Sequence, residues 1–394
     1  MPFNLNFYST LLLIGFIQGI VYALLLLYRG IQEEKLSDKL LAASLLLVCL
    51  HISQYMLGFA GWYDSRDSYS IFMFYFPFHN ILLLGPVLYF YFRSLTNHDF
   101  RFTKKEAWHF IPGLLQLIIF LGIFLADIVF HKWIGGNQLP DHFGTQGRWS
   151  TFGQGILGFI INWLGTISFV IYLIMTSKVY RQYRTYINNH YSDTEAIQFN
   201  WIRNILYIVM AAFILDFLVD IVGYFIEYTD YTSKWIGYFG FAIMIYVVSI
   251  LGYNRSRPIT HKLDFDPNKP ILKDEVKEPL PEITHFKPRL QALMEQEQLY
   301  LQPDLTLKEL AAKLKTNTSL LSKVINTGFG KNFNDFINSF RVEAVKAKIQ
   351  QEDTQHLTLT AIAFECGFNS KATFNRAFKK FEGKSPREFM REKG

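Results

Sequence analysis

Two cysteines among 394 residues exclude a disulfide framework. Cys49 lies in a long apolar run and Cys366 in a helical pattern near the C-terminus, so both read as packing residues. Charge is scarce as well: 18% of the residues are charged, against about a quarter in ordinary soluble domains. No Walker lysine loop, Gly-rich dinucleotide turn, HExxH or nucleophile elbow is present, so nothing argues for an enzyme or a cofactor. Between positions 131 and 151, His131, Asp141 and His142 match no zinc spacing, and no metal is expected. Residues 1–9 lack the basic start of a cleaved signal peptide, so the first apolar segment is expected to stay as a membrane helix.

What the chain has instead is hydrophobic length. Half of its residues are hydrophobic and 38 are Phe. Seven apolar segments, at about 8–28, 40–60, 69–92, 108–130, 154–175, 201–225 and 235–253, each approach the roughly 20 residues needed to cross a bilayer as a helix. Alternate connections hold the cations: Arg29, Lys35 and Lys39; Arg93, Arg101, Lys104 and Lys105; Lys178, Arg181 and Arg184; Arg255, Arg257 and Lys262. The other connections hold only Arg66, Lys132, Arg148 and Lys234. Lys and Arg are retained in the cytoplasm, which predicts an outside N-terminus and a cytoplasmic C-terminus in a bacterial inner membrane.

Polar groups inside such spans are costly. Asp216 and Asp220, four residues apart, share one face of the sixth segment. With Gln18, His51, Gln54, His79, Asn80 and Asn162 they are the candidates for sensing a small-molecule or envelope signal, the histidines serving as cationic partners when protonated. The competing reading is hydrogen bonding that only holds the bundle together. Gly15 and Gly19 form a GxxxG, which serves either packing inside the bundle or a homodimer. Pro77 and Pro86 are expected to kink the third segment.

From 254 to 284 the apolar period stops, and five prolines appear among six basic and six acidic residues. This reads as an extended, flexible tether. Residues 285–394 hold 18 Lys+Arg against 12 Asp+Glu, so the chain's net charge of +6 belongs to this last region. Residues 1–253 balance at 15 against 15. A neutral apolar part joined to a basic part points to a membrane protein carrying a nucleic-acid binder.

Two helix-turn-helix patterns follow in that region. In the first, Thr306 and Glu309 form a capping box, Asn317 caps the next helix, and Leu321, Val324 and Ile325 fall on its buried face. In the second, Thr358 caps, Gly367 supplies the left-handed turn, Asn369 is expected to cap, and Phe374, Phe378 and Phe381 form the buried stripe. A long helix beginning near Asn332 joins the two. The run GF, then FNRAFKKFEGKSP, resembles the signature of AraC/XylS-type transcription regulators, with Gly367, Phe368, Phe374, Arg376, Phe378, Lys379, Lys380, Gly383, Ser385 and Pro386 at matching positions. LKELAAKL, Leu321, Gly330, Arg341 and Ala344 extend the resemblance over about 286–390. Asn317 and Ile325 depart from it, standing where serine and phenylalanine are usual.

The resemblance implies double-stranded promoter DNA as partner, with the second helix of each unit entering a major groove. By position it implies Ser319, Ser322 and Lys323 in the first unit and Lys371, Thr373 and Arg376 in the second as DNA-facing. The chain is thus expected to be all-α: a seven-helix transmembrane bundle in 1–253, a linker in 254–284 and a C-terminal double helix-turn-helix domain in 285–394. That describes a membrane-bound one-component transcription regulator. A transporter-like protein with a regulatory helical tail is the alternative, but no repeated halves are visible.

Overall fold

Long apolar runs satisfy their backbone polar groups internally by becoming helices. The computed structural model describes residues 4–195, 197–226, 231–255, 263–267, 281–350 and 357–392, and among them it is all-α, with no strand. The chain divides into two units. One comprises Met1–Lys178 with Asn200–Asp264, the other Val179–Phe199 with Phe265–Gly394.

The first unit contains α1 (Phe7–Gln32), α2 (Leu36–Phe59), α3 (Ser68–Tyr75), α4 (Ile81–Thr96), α5 (Lys104–Ala107), α6 (Ile111–Phe124), α7 (Arg148–Gln154), α8 (Ile156–His190, which runs on into the second unit), α9 (Asn200–Ile226) and α10 (Tyr231–Arg255). Among the described residues, six stretches are long and apolar enough to cross a membrane: Phe7–Gln32, Leu36–Phe59, Lys104–Ile134, Arg148–His190, Asn200–Val219 and Tyr231–Asn254. The third of the seven apolar segments is interrupted, where a proline kink is expected. There α3 stops at Tyr75, Phe76 is extended (φ −74°, ψ 131°), and α4 begins only at Ile81. Pro77 is the cause, because its ring crowds the preceding residue out of the helical region.

Packing inside this unit uses the small residues. A β-carbon on Gly15 would lie 2.7 Å from that of Ala242, and one on Gly19 would overlap Cys49 and Ile245. The GxxxG face of α1 is therefore covered by α10 and α2, not offered to a second copy. Arg29, one of the cations that mark a connection, also has a structural part. It pairs with the fully buried Asp38 at 2.5 Å and donates to the Tyr253 carbonyl at 3.0 Å, tying together α1, α2 and α10.

The described part of the linker is docked. Leu263 is buried and its carbonyl accepts from the His98 N–H at 3.0 Å, while Phe265 is buried with its ring 5.4 Å from that of Tyr183. The other linker positions up to 280, apart from Asn254 and Arg255 at the end of α10, lie outside the described residues.

The second unit holds α11 (Pro281–Glu297), α12 (Leu307–Lys313), α13 (Thr318–Phe329), α14 (Phe333–Ile349), α15 (Leu359–Glu365), α16 (Lys371–Glu382) and α17 (Pro386–Arg391). Its apolar side chains form two cores. One gathers Leu290, Leu310, Leu321, Val324, Ile325 and Phe336, the other Val345, Ile362, Cys366, Phe368, Phe374 and Phe378. α14 contributes to both.

Candidate nucleic-acid interface

The first helix-turn-helix unit is α12 and α13. Thr306 accepts from the Glu309 N–H at 3.3 Å, and the Glu309 carboxylate accepts from the Thr306 N–H at 2.8 Å, closing the capping box. Lys315 turns the chain with φ +54°, and Asn317 then accepts from the Leu320 N–H at 2.8 Å. Asparagine thus caps α13 where serine is usual in the resembling family, and Ile325 is fully buried where phenylalanine is usual. Of the candidates on α13, Ser319 is exposed and Lys323 half-buried, but Ser322 is buried, beside Asn326. A base-edge role for Ser322 therefore requires its surroundings to move.

In the second unit, Thr358 accepts from the Ala361 N–H at 3.1 Å to open α15. Gly367 then takes φ +87°, and a β-carbon there would lie 2.5 Å from the Tyr300 carbonyl oxygen and 2.9 Å from the Leu301 α-carbon. Both the backbone angle and the space require glycine. The cap of α16 is Ser370, which accepts from the Thr373 N–H at 3.1 Å. This corrects the assignment to Asn369, whose side chain instead donates to Asp304 at 2.8 Å. A capping residue has to sit directly ahead of the first helical turn, and α16 starts at Lys371.

Along α16, Phe374 and Phe378 are buried, while Lys371, Arg376 and Lys379 are exposed on the other side. Thr373 is not exposed as the helical period suggests; only 2% of its surface remains accessible. Its hydroxyl donates to Glu195 at 2.8 Å, from the segment between α8 and α9. Lys380 pairs with Asp335 of α14 at 2.6 Å, and Lys346 with Glu382 at 3.0 Å, so these cations help fix the angle between α14 and α16.

Arg341 of α14 ties the domain together. It has no exposed surface, and it donates to the carbonyls of Tyr300 (2.7 Å), Gln302 (2.7 Å) and Pro303 (3.1 Å) and to Asn338 Oδ1 (3.3 Å). Burial pulls its pKa down to about 10, so it still carries its charge at neutral pH. The family resemblance marks this position, but not its task of organising the loop ahead of α12.

The sensing candidates separate into local sets. His51 and His79 meet Nδ1 to Nδ1 at 3.1 Å, and the His51 ring stacks on Tyr238 with centroids 4.7 Å apart. Asn80 donates to the Pro77 carbonyl at 2.6 Å and, with His51, lines a small cavity of about 20 Å³. Asp216 packs on Gly237, next to Tyr238, where a β-carbon would strike its carboxylate. Elsewhere, Gln54 donates to Tyr63 at 3.0 Å and Gln18 to Ser249 at 3.5 Å, while Asn162 is exposed. The Asp220 side chain lies outside the described residues. Thus His51, His79, Asn80 and, through Tyr238, Asp216 share one neighbourhood, and Gln18, Gln54 and Asn162 do not join it.

Residues 310–392 match a family model described as a helix-turn-helix domain. An uncharacterized HTH-type transcriptional regulator of Staphylococcus aureus (strain COL) is 35% identical over 92 residues, which are 23% of this chain and 12% of that protein. YtdP of Bacillus subtilis (strain 168), also an uncharacterized HTH-type transcriptional regulator, is 29% identical over 90 residues, 23% of this chain and 11% of that protein. The solved structure of a protein of unknown function from Listeria innocua is 25% identical and covers 29% of this chain and 97% of its own, with a TM-score of 0.24. The chain therefore spans only about an eighth of the length of the curated relatives it matches.

Proposed function

With an AraC-type helix-turn-helix domain at its C-terminal end, we propose that this chain is a membrane-bound one-component transcription regulator. It senses a signal through its apolar helices and binds promoter DNA in the cytoplasm. The observation that carries this reading is the joining, in one chain, of six helices long enough to cross a bilayer and a helix-turn-helix domain whose α16 leaves Lys371, Arg376 and Lys379 exposed. The exposed cations suit phosphates and base edges, and phosphate contacts release counterions. The purified full chain in detergent should therefore bind duplex DNA at low salt with an affinity that falls steeply as salt rises. No affinity for any duplex at low salt would overturn the proposal.

The orientation rests on the cationic connections, with the broken α3–α4 segment completing a seventh crossing. Reporters fused after Tyr253 should behave as cytoplasmic and those placed in 131–151 as external. Finding both on one side would break the assignment. The signal site is assigned to the neighbourhood of His51, His79, Asn80 and Asp216, since buried polar groups are expensive to keep among apolar helices. An Asp216→Asn variant at unchanged membrane abundance should lose the response of target genes to added signals or to pH. A wild-type response would leave the cluster as packing.

A further inference from the structure

The segment between α8 and α9 is part of the same unit as the helix-turn-helix domain. It is held there by directional contacts. The Ser192 N–H donates to the Leu305 carbonyl at 3.1 Å, the Ser192 hydroxyl to the Pro303 carbonyl at 3.2 Å, and Arg341 to the Ser192 hydroxyl at 3.3 Å. Asn334, on the first turn of α14, donates to the Ser192 carbonyl at 2.7 Å and the Tyr191 carbonyl at 3.4 Å. Ser192 and Thr194 have no exposed surface, and Ile197 has 1%.

From this seat the chain presents Glu195 to α16. One carboxylate oxygen accepts hydrogen bonds from Ser370, the N-cap, and from Thr373 one turn in, at 2.8 Å for the latter. In helix-turn-helix proteins the N-terminal residues of the second helix are the ones that contact base edges. A helix N-terminus also carries partial positive charge and favours anions. Glu195 thus supplies an anion at the end of the helix where a duplex would bring a phosphate.

We propose that the described residues of 187–199 are an internal competitor of DNA: docked between α14 and α16, they place Glu195 where a DNA phosphate would lie, and undocking frees the second helix-turn-helix unit. This rests on the DNA-binding reading above. The docked face is also built to open. Beside it lies a polar cavity of about 160 Å³, lined by Arg184 and Asn188 at the end of α8, by Gln198 of the segment, and by Asn334, Arg376 and Lys380 of α14 and α16. Its lining is almost wholly polar, with Asp335 pairing Lys380 on one wall, and water fills such a space readily, so closure gains little apolar burial there. Because the segment is the covalent connection between α8 and α9, any rearrangement of those helices on sensing a signal acts directly on it.

The test uses the full chain in detergent, a random-sequence duplex at low salt, and amide exchange of residues 187–199. Glu195 is exposed, so its replacement leaves the fold intact. Glu195→Ala should bind the duplex roughly tenfold more tightly than the wild type, within the usual range of intramolecular coupling, and Glu195→Gln should fall between them. Adding duplex to the wild type should speed exchange in 187–199. Equal affinities in all three forms, with exchange there unchanged by bound duplex, would overturn the competitor. If no form binds any duplex, although exchange in 187–199 is faster in Glu195→Ala, the DNA-binding reading itself fails and the competitor falls with it.

Discussion

Replacing Arg341 by alanine should destabilise the C-terminal domain by about 3 kcal/mol or more, because it leaves several buried carbonyl groups without a donor. The guanidinium serves the carbonyls of Tyr300, Gln302 and Pro303 together, and those residues lead into α12. Each orphaned acceptor costs roughly 1–3 kcal/mol where water cannot reach, and the emptied volume adds a cavity term. Arg341→Lys should recover only part of the stability, since an ammonium is a single point of donation and cannot fork to three carbonyls. Amide exchange in α14 is the suitable measurement, because it reports the opening of this unit separately from the apolar helices. A destabilisation of about 3 kcal/mol corresponds to exchange faster by roughly two orders of magnitude. Exchange at the wild-type rate in Arg341→Ala would show that the loop from Tyr300 to Pro303 is held by something else.

Arg376→Ala should cost about 1–3 kcal/mol of binding to the preferred site and flatten the discrimination between bases at the position it reads. Phe374 and Phe378 fix the orientation of α16 from the buried side, so Arg376 projects from a rigid support. Its guanidinium has the fork geometry for the two acceptors on the major-groove edge of guanine. Lys371→Ala is the natural control. Removing a cation that serves only a phosphate should weaken all sequences alike and lower the salt slope by about one. Titrating both variants against specific and random duplexes separates the two roles. Uniform weakening in Arg376→Ala would move this residue from base reading to backbone binding.

The caps of the helix-turn-helix units are readable from the chain because a cap is a local event. Thr306, Asn317 and Thr358 each bond to an N–H three residues on. The buried stripes are readable for a related reason, since a 3.6-residue period reports which face of a helix is apolar. That same period places Thr373 with the exposed residues, and there it fails. What covers a polar face is decided at long range, here by Glu195, 178 positions away in the chain. The docking of Val179–Phe199 on the domain is hidden for this reason too, as are the carbonyl partners of Arg341, about 40 positions away. In the apolar half, composition and length locate the long helices, but hydrophobicity averaged over 69–92 does not register the backbone, and Pro77 splits that segment. By itself, then, the sequence determined the all-α class, the long apolar helices and the helix-turn-helix units, because propensity, capping and periodicity act within a few residues. Only the tertiary structure decided which polar groups meet across the chain, because those pairings are selected by packing between helices far apart in sequence.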